Sequence, residues 1–261
     1  MNLYIYLQGG LGNQMFQYAA GLSALKEYSQ FTDLKLDTSF YNNQKRKVIV
    51  NGLTGRGYDL DILNIKYNKI KTCPEGETML KGWFQNINEF LNVVDEVRDQ
   101  FTFSIKFSEN IQRLREEIIS SKNSVCIHVR RGDYIHNPTA YAYHGYMDKD
   151  YYLEAMKIME EFYGDVNYYV FSEDTDWCKE NISNKKHKVT FVGDQYSGDR
   201  DSGNFYLMQS CENHIIANST FSWWGAWLAD SKRVIAPKNW FRGACINHST
   251  EDLYCSDWII L

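Results

Sequence analysis

The sequence predicts an α/β protein built as two parallel-sheet units joined near residue 120, and three observations carry that expectation. After residue 124 short apolar runs alternate regularly with helical patterns, as in βαβ units whose helices cover both faces of a parallel sheet. The N-terminal stretch begins the same way, with an apolar run, a glycine pair and a segment of helical period. At 261 residues the chain is long enough for one large domain or for two of about 100 to 150 residues.

In order, residues 3–7 form the first apolar run, closed by Gly9 and Gly10, and beyond it Met15, Phe16, Ala19, Ala20, Leu22 and Leu25 recur at helical spacing. Residues 34–36 alternate as a second strand, and 42–47 form a polar, basic turn. Apolar positions over 58–63 and 86–97 suit helices. An amphipathic stretch over 108–120 leads into the polar SSKNS segment, so the first unit is expected to span 1–121 and the second 122–261. In the second unit strands are expected at 125–129, 168–171, 189–192, 214–217 and 233–236. Helices are expected at 149–162, 174–181, 204–211 and 221–230. Two such units leave a cleft between them, ligands of open α/β sheets bind at the carboxyl ends of the strands, and the last residues can pack back on the first unit.

Composition removes several function classes. The formal net charge of −5 gives no basic face for nucleic acid. The opening MNLYIYLQGG has no basic n-region and too short an apolar run for a signal or a membrane span, which reads as a cytoplasmic protein. The six cysteines form no C-x-x-C pair and read as buried small hydrophobes. Cys211 with His214 and Cys245 with His248 each read C-x-x-H, which could supply four zinc ligands, although the separation fits no zinc finger. The sequons at Asn181, Asn218 and Asn247 matter only in a secreted chain.

Four blocks can carry chemistry. GGLGN, with Gly10, Gly12 and Asn13, sits between a strand and a helix, where backbone N–H groups can approach a phosphate or simply make a tight turn. No Gly stands at Met15 and no G-x-x-x-x-G-K-[ST] loop exists, against dehydrogenase and P-loop readings. HVRRGDY closes the strand at 125–129 and puts His128, Arg130, Arg131 and Asp133 at its carboxyl end. In strand alternation Arg130 shares a face with His128, so Arg130 is the phosphate ligand expected, its fork of donors matching phosphate oxygens; Arg131, on the other face, is expected to tie down a neighbouring loop through a carboxylate. FSEDTDW offers Ser172, Glu173 and Asp174, carboxylates able to accept from a nucleobase edge or to serve a helix start. Asp174-Thr175-Asp176 is also a D-x-D, the pattern of metal-dependent sugar transfer, but Asp59-Leu60-Asp61 and Asp199-Arg200-Asp201 match equally. NSTFSWWGAW opens a helix with Ser219, Thr220, Phe221 and Ser222, whose hydroxyls and N–H groups can cap it or bind phosphate. Trp223, Trp224 and Trp227 pack the core or, in one of them, stack on a sugar.

GGLGNQMFQYA, HVRRGDY, FSEDTDW and NSTFSWWGAWLA, in this order and with fainter likenesses such as LKGWFQN between them, resemble the bacterial α-1,2-fucosyltransferases, relatives of the blood-group H enzymes. The resemblance spans almost the whole chain. It implies a GT-B-like fold, two Rossmann-like domains facing a central cleft, with the first on the acceptor side and the second binding GDP-fucose. It implies an inverting transfer of L-fucose from GDP-fucose to the 2-hydroxyl of a terminal galactose, with no required metal or other cofactor. Carried over, Arg130 meets the β-phosphate, His128 the guanosine portion, Glu173 or Asp174 the guanine edge, Ser219 to Ser222 the phosphates, and Asn13 lies near the fucose and diphosphate.

The acceptor implied is a galactose-terminated oligosaccharide, free or lipid-linked, in O-antigen or other surface glycan synthesis, and no nucleic acid takes part. The basic runs KRK (Lys45 to Lys47) and KKHK (Lys185 to Lys188) could skim the inner face of an anionic membrane or be solvated loops. For the base that inversion requires, Asp133 and His128 are the candidates, Asp133 equally as a brace for Arg130 or Arg131. Rival readings are a metal-dependent glycosyltransferase using Asp174 and Asp176, a glycan-binding module without chemistry that uses the tryptophans, and a zinc-stabilised structural protein.

Overall fold

The computed structural model describes residues 1–44, 49–50, 53–184, 186–243 and 250–261, with 49, 50, 53, 54 and 133 as backbone only. Lys45 to Lys47, Lys185, Cys245, Asn247 and His248 lie outside the described residues. The chain divides into two compact units, Met1–Lys106 with Glu251–Cys255, and Phe107–Thr250 with Ser256–Leu261.

The first unit contains β1 (Asn2–Tyr6), α1 (Leu11–Glu27), β2 (Asp33–Asp37), β3 (Ile49–Val50), β4 (Leu53–Thr54), β5 (Lys69–Ile70), β6 (Met79–Leu80) and α2 (Val94–Gln100). β3 and β4 pair antiparallel by themselves. The other strands form one sheet in the order β5-β2-β1-β6, parallel throughout. Helix α1 is buried almost all round from Leu11 to Ser23, which is why its apolar pattern has no polar stripe. Gly21 lets it lie close on the sheet: a Cβ there would stand 3.1 Å from Leu34 Cδ2. Where the sequence predicts helices over 58–63 and 86–97, there is a 3₁₀ turn at Leu60–Ile62 and a 3₁₀ run at Ile87–Val93, broken at Phe90 (φ −140°), before α2. Phe90 leaves helical geometry to bury its ring fully, so tertiary burial overrides the local pattern. Glu251–Cys255 joins this unit through Ile87 N–H to Asp252 O (2.9 Å) and Asn88 Nδ2 to Asp252 Oδ1 (2.9 Å).

The second unit contains α3 (Glu109–Ser120), β7 (Ser124–Val129), α4 (Gly132–His136), α5 (Pro138–His144), α6 (Lys149–Tyr163), β8 (Asn167–Ser172) and α7 (Thr175–Asn181). It continues with β9 (Lys188–Val192), α8 (Ser202–Met208), β10 (Asn213–Ile215), α9 (Thr220–Leu228), β11 (Arg233–Ala236) and β12 (Ile259–Ile260). Its sheet, order β12-β11-β10-β7-β8-β9, is parallel throughout. β7 is buried at every position because alternate side chains feed two cores. Val125, Ile127 and Val129 pack with Tyr152, Ala155, Met156 and Met159 of α6 on one face. Cys126 packs with Ile111, Leu114 and Ile118 of α3 and with Leu207 and Met208 of α8 on the other.

That second core moves the division between units. The sequence reading ends the first unit at residue 121, whereas α3 belongs to the second, because its apolar stripe is buried against β7 and β8. Burying Ile111, Leu114 and Ile118 is worth about 1.5 to 3 kcal/mol each. Among the described residues no helix is long and apolar enough to cross a membrane. Within the KKHK run His187 is buried, whereas Lys186 and Lys188 are exposed and Lys188 pairs with Glu117 at 2.8 Å.

Candidate active site

Both sheets reverse their strand order once, and ligands of open α/β sheets bind outside the carboxyl ends of the strands at that point. In the second unit the reversal lies between β7 and β10. HVRRGDY follows one of these strands, NSTFSWW the other, and FSED the neighbouring β8.

His128 lies on the Cys126 side of β7, with its ring 6.0 Å from that of Phe221 at the start of α9. It is buried, and its Nδ1 finds no hydrogen-bond partner among the described residues. Burial, and then the Arg130 charge, lower its pKa to about 3, so the ring is neutral at physiological pH and a poor proton acceptor.

The two arginines are set by strand register. β7 pairs with β8 as Val129↔Ser172, and the same offset carried beyond the strand ends puts Arg130 opposite Glu173 and Arg131 opposite Asp174. Arg130 Nη1 donates to Glu173 Oε1 at 2.7 Å, and its guanidinium stands 5.2 Å from the Tyr134 ring centre. Arg131 Nε donates to Asp174 Oδ2 at 2.9 Å, with its guanidinium 4.0 Å from the Trp177 ring centre and 5.3 Å from that of Tyr146. Arg131 is therefore a brace between β7 and α7. Gly132 leaves room beside it for the Glu173 side chain, which a Cβ there would force to shift.

The carboxylates of FSED thus already serve protein groups. Asp174 Oδ1 accepts from Trp177 N–H (3.2 Å) as the cap of α7, its own N–H donates to Ser172 Oγ (3.0 Å), and Oδ2 holds Arg131. In the D-x-D, Asp176 instead faces solvent and pairs with Lys179 at 3.2 Å. Among the described residues no group of three or more His, Cys, Asp or Glu is placed to hold a metal ion.

Helix α9 opens at Ser219, whose side chain makes no capping bond, and no acidic residue occupies its first turn. The positive end of its dipole faces the switch point without a side-chain cap. Ser222 donates to Ser219 O at 3.2 Å and is fully buried, so it shapes the turn. Asn218 Nδ2 donates to His144 O (2.9 Å) and Trp240 O (3.2 Å), and the Asn218 backbone carbonyl accepts from Tyr134 Oη (3.3 Å). This buried amide fastens the loop before α9 to the end of α5, a role that its place in a sequon does not indicate. Trp223 and Trp224 are wholly buried and Trp227 nearly so, which favours core packing over the alternative that one of them stacks on a sugar. The Asp133 side chain lies outside the described residues; its backbone stands in the first turn of α4.

The zinc reading is also corrected where the structure reaches it. His214 is buried, with Nε2 donating to Met208 O (2.8 Å) and Nδ1 accepting from Ser231 Oγ (2.7 Å), so both nitrogens are engaged. Burial lowers its pKa to about 4. His128 and His214 are thus both held below the unfolded value of about 6.5. The unfolded chain takes up their protons first, so their contribution to stability is complete above pH 6.5 and is lost as pH falls toward 4. Urea unfolding is expected to show a loss of about 1.4 kcal/mol per histidine between about pH 7.5 and 5.5. A flat profile across that range would contradict the buried neutral state.

The reversal in the first sheet lies between β1 and β6, so GGLGN and the LKGWFQN segment meet there. Gly9 has φ +79°, and a Cβ on it would stand 2.6 Å from Asn13 Nδ2, so glycine is needed on both counts. Gly10 caps α1 in extended geometry and accepts from Asn13 N–H (3.0 Å) and Gln14 N–H (3.1 Å), while Gly12 is buried in the helix. Asn13 Oδ1 accepts from Gln85 Nε2 at 3.0 Å. Two fully buried glutamines, which the sequence reading passed over, hold the loops. Gln14 bonds Gly9 O (3.2 Å), Gly57 O (2.8 Å) and Asp59 N–H (2.8 Å). Gln17 bonds Gln8 N–H (2.9 Å) and Gly82 O (3.2 Å). Gln14 and Gln17 follow Gly10 by about one and two helical turns, and polar residues there inside an apolar helix are the available signal.

Gly10, Gly12 and Asn13 therefore belong to the first unit's switch point, and His128, Arg130, Ser172, Glu173, Asp174 and Ser219 to Ser222 to the second's.

Two parallel sheets, each with its own switch point, make this a GT-B-like α/β glycosyltransferase. The chain belongs to glycosyl transferase family 11, which matches residues 2–261. It is 32% identical to an alpha-1,2-colitosyltransferase of Escherichia coli, over 92% of this chain and 93% of that one. It is 30% identical to the O-antigen biosynthesis glycosyltransferase WbnK of Escherichia coli, over 99% and 100%. With galactoside alpha-(1,2)-fucosyltransferase 2 of Pongo pygmaeus it shares 26% identity, over 87% and 68%. In fold it is similar to the fucosyltransferase NodZ from Bradyrhizobium, with a TM-score of 0.52 at 12% identity over 89% of this chain and 94% of that one. A glycosyl transferase family 9 structure from Veillonella parvula DSM 2008 gives a TM-score of 0.51 at 9% identity over 100% and 85%.

Proposed function

We propose that this chain transfers L-fucose from GDP-β-L-fucose to the 2-hydroxyl of a terminal galactose, with inversion, in O-antigen or other surface glycan synthesis. The observation that carries the reading is the β7/β10 switch point, where Arg130, the unpartnered Nδ1 of His128 and the uncapped start of α9 stand together. Charged fork, hydrogen-bonding ring and helix dipole are what a nucleotide diphosphate requires. The names of the family 11 relatives, fucosyl and colitosyl transferases with 1,2 linkage, support the sugar and the linkage.

The barrier to such a transfer is charge separation between an oxocarbenium-like sugar and the departing diphosphate. Arg130 can exchange Glu173 for phosphate oxygens, and the N–H groups of α9 add fixed positive potential where that charge develops. His128, held neutral, serves as a hydrogen-bonding group to the nucleotide rather than as the base. Asp133 is then the proposed base for the acceptor hydroxyl. No metal is required in this scheme, because the protein's own donors neutralise the leaving group.

The test is GDP release from GDP-fucose with a panel of β-galactosides, with and without excess EDTA, and linkage analysis of the product. An α-1,2-fucosylated galactoside formed at an unchanged rate in EDTA is expected. Turnover that stops in EDTA returns the metal-dependent reading, and glycan binding that ignores GDP, with no release, returns the binding module. The second reading, colitose as the sugar transferred, rests on the 32% identical relative, and competition between fucose and colitose donors decides it. A lipid-linked oligosaccharide presented at the inner membrane face is the acceptor form to add to the panel.

A further inference from the structure

At the first unit's switch point the resemblance sets Asn13 near the fucose and diphosphate, which leaves the LKGWFQN side of that point without a role in the proposed chemistry. Beyond β6 the chain runs Lys81-Gly82-Trp83-Phe84-Gln85. Of the seven tryptophans, Trp83 is the one exposed, at 47%. Its position is built rather than incidental. Gln17 holds Gly82 O from inside the helix at 3.2 Å, and Phe84 adopts φ +51°, a left-handed conformation costly for an aromatic residue. The Phe84 ring folds back on Gly82, where a Cβ would meet Phe84 Cζ at 3.0 Å. With the chain turned in this way, the indole lies along the glycine loop, its Cζ3 3.2 Å from where a Cβ on Gly9 would stand. On the same turn Gln85 reaches Asn13 at 3.0 Å.

Among the described residues the groups at this turn include an indole, two primary amides, glycine-loop backbone and the Tyr41 hydroxyl, which donates to Gly9 O at 3.0 Å. An aromatic face beside amide donors and acceptors suits a neutral ring with an apolar face and a rim of hydroxyls, and offers no guanidinium fork for a phosphate. We propose that Trp83 stacks on the terminal sugar of the acceptor, a β-galactoside, while Asn13 and Gln85 bond its hydroxyls. This rests on the proposed sugar transfer for the identity of the ligand.

Two measurements test it. In steady-state assays with GDP-fucose, Trp83→Ala is expected to raise the acceptor KM about tenfold, with the donor KM changed less than about twofold, and Trp83→Phe is expected to recover most of the loss. An unchanged acceptor KM in the alanine variant overturns the inference and leaves the transferase reading intact. Independently of any turnover, protein labelled with 5-fluorotryptophan, its Trp83 resonance assigned from the phenylalanine variant, is titrated with lactose and with N-acetyllactosamine. A saturable shift confined to the Trp83 resonance supports the site even if GDP-fucose proves the wrong donor, and an unmoved Trp83 resonance with both sugars overturns it.

Discussion

Arg130→Ala is expected to lower kcat by about 10²- to 10³-fold, the usual effect of removing one preorganised donor from developing negative charge. The fold is expected to survive, because Arg130 sits at a strand end with its side chain 21% exposed, and its Glu173 partner is 33% exposed. A partly exposed pair of this kind contributes about 1 kcal/mol, less than the stability of a folded domain. Arg130→Lys keeps the charge but loses the fork, so an intermediate rate is expected from it. Arg131→Ala should do something different. It frees Asp174 and uncovers the Trp177 face, loosening the β7 to α7 bracing. The measurement is single-turnover transfer of fucose beside a thermal melt of each variant. Turnover of Arg130→Ala within about threefold of the parent would remove Arg130 from the donor site.

Gln14→Ala has the largest expected effect on stability, about 3 kcal/mol. The side chain is wholly buried and serves Gly9 O, Gly57 O and Asp59 N–H, three backbone groups that truncation would leave without this partner. Gly9 O keeps the Tyr41 hydroxyl at 3.0 Å, so the groups left without a Gln14 partner are chiefly Gly57 O and Asp59 N–H, at about 1 to 3 kcal/mol each before relaxation. Gln14→Met fills the same space without the amide and separates lost hydrogen bonds from lost packing. A urea midpoint for Gln14→Met equal to that of the parent would show that the amide network is dispensable. Because Gly9 begins the loop that Trp83 lies along, the same variant is expected to weaken acceptor use as well.

The second sheet was legible because its strands are continuous buried runs, such as SVCIHV in β7, separated by helices with clear periods. The two-residue strands β5, β6 and β12 were not, since a pair of residues has no period and becomes a strand only by pairing with a distant neighbour. The sequence reading places no element between 129 and 149, where Gly132, Asn137 and Pro138 act as a helix start, a cap and an N1 proline of α4 and α5. In the candidate sites the motifs were visible and their roles less so. Glu173 and Asp174 were recognised as important carboxylates, yet which arginine each one meets follows from β7/β8 register, which no local pattern encodes.

By itself, the sequence determined an α/β chain with two parallel-sheet units, and placed GGLGN, HVRRGDY, FSED and NSTFSWW after strands, because hydrophobic period and glycine punctuation are local properties. Tertiary structure alone decided that α3 joins the second unit, that Trp223, Trp224 and Trp227 are core while Trp83 is exposed, that Arg131 braces Asp174, and that Gln14 and Gln17 clasp loops distant in sequence. Each of these depends on which surfaces the strand order brings together, and burial and hydrogen bonding between remote segments are settled only when the sheet closes.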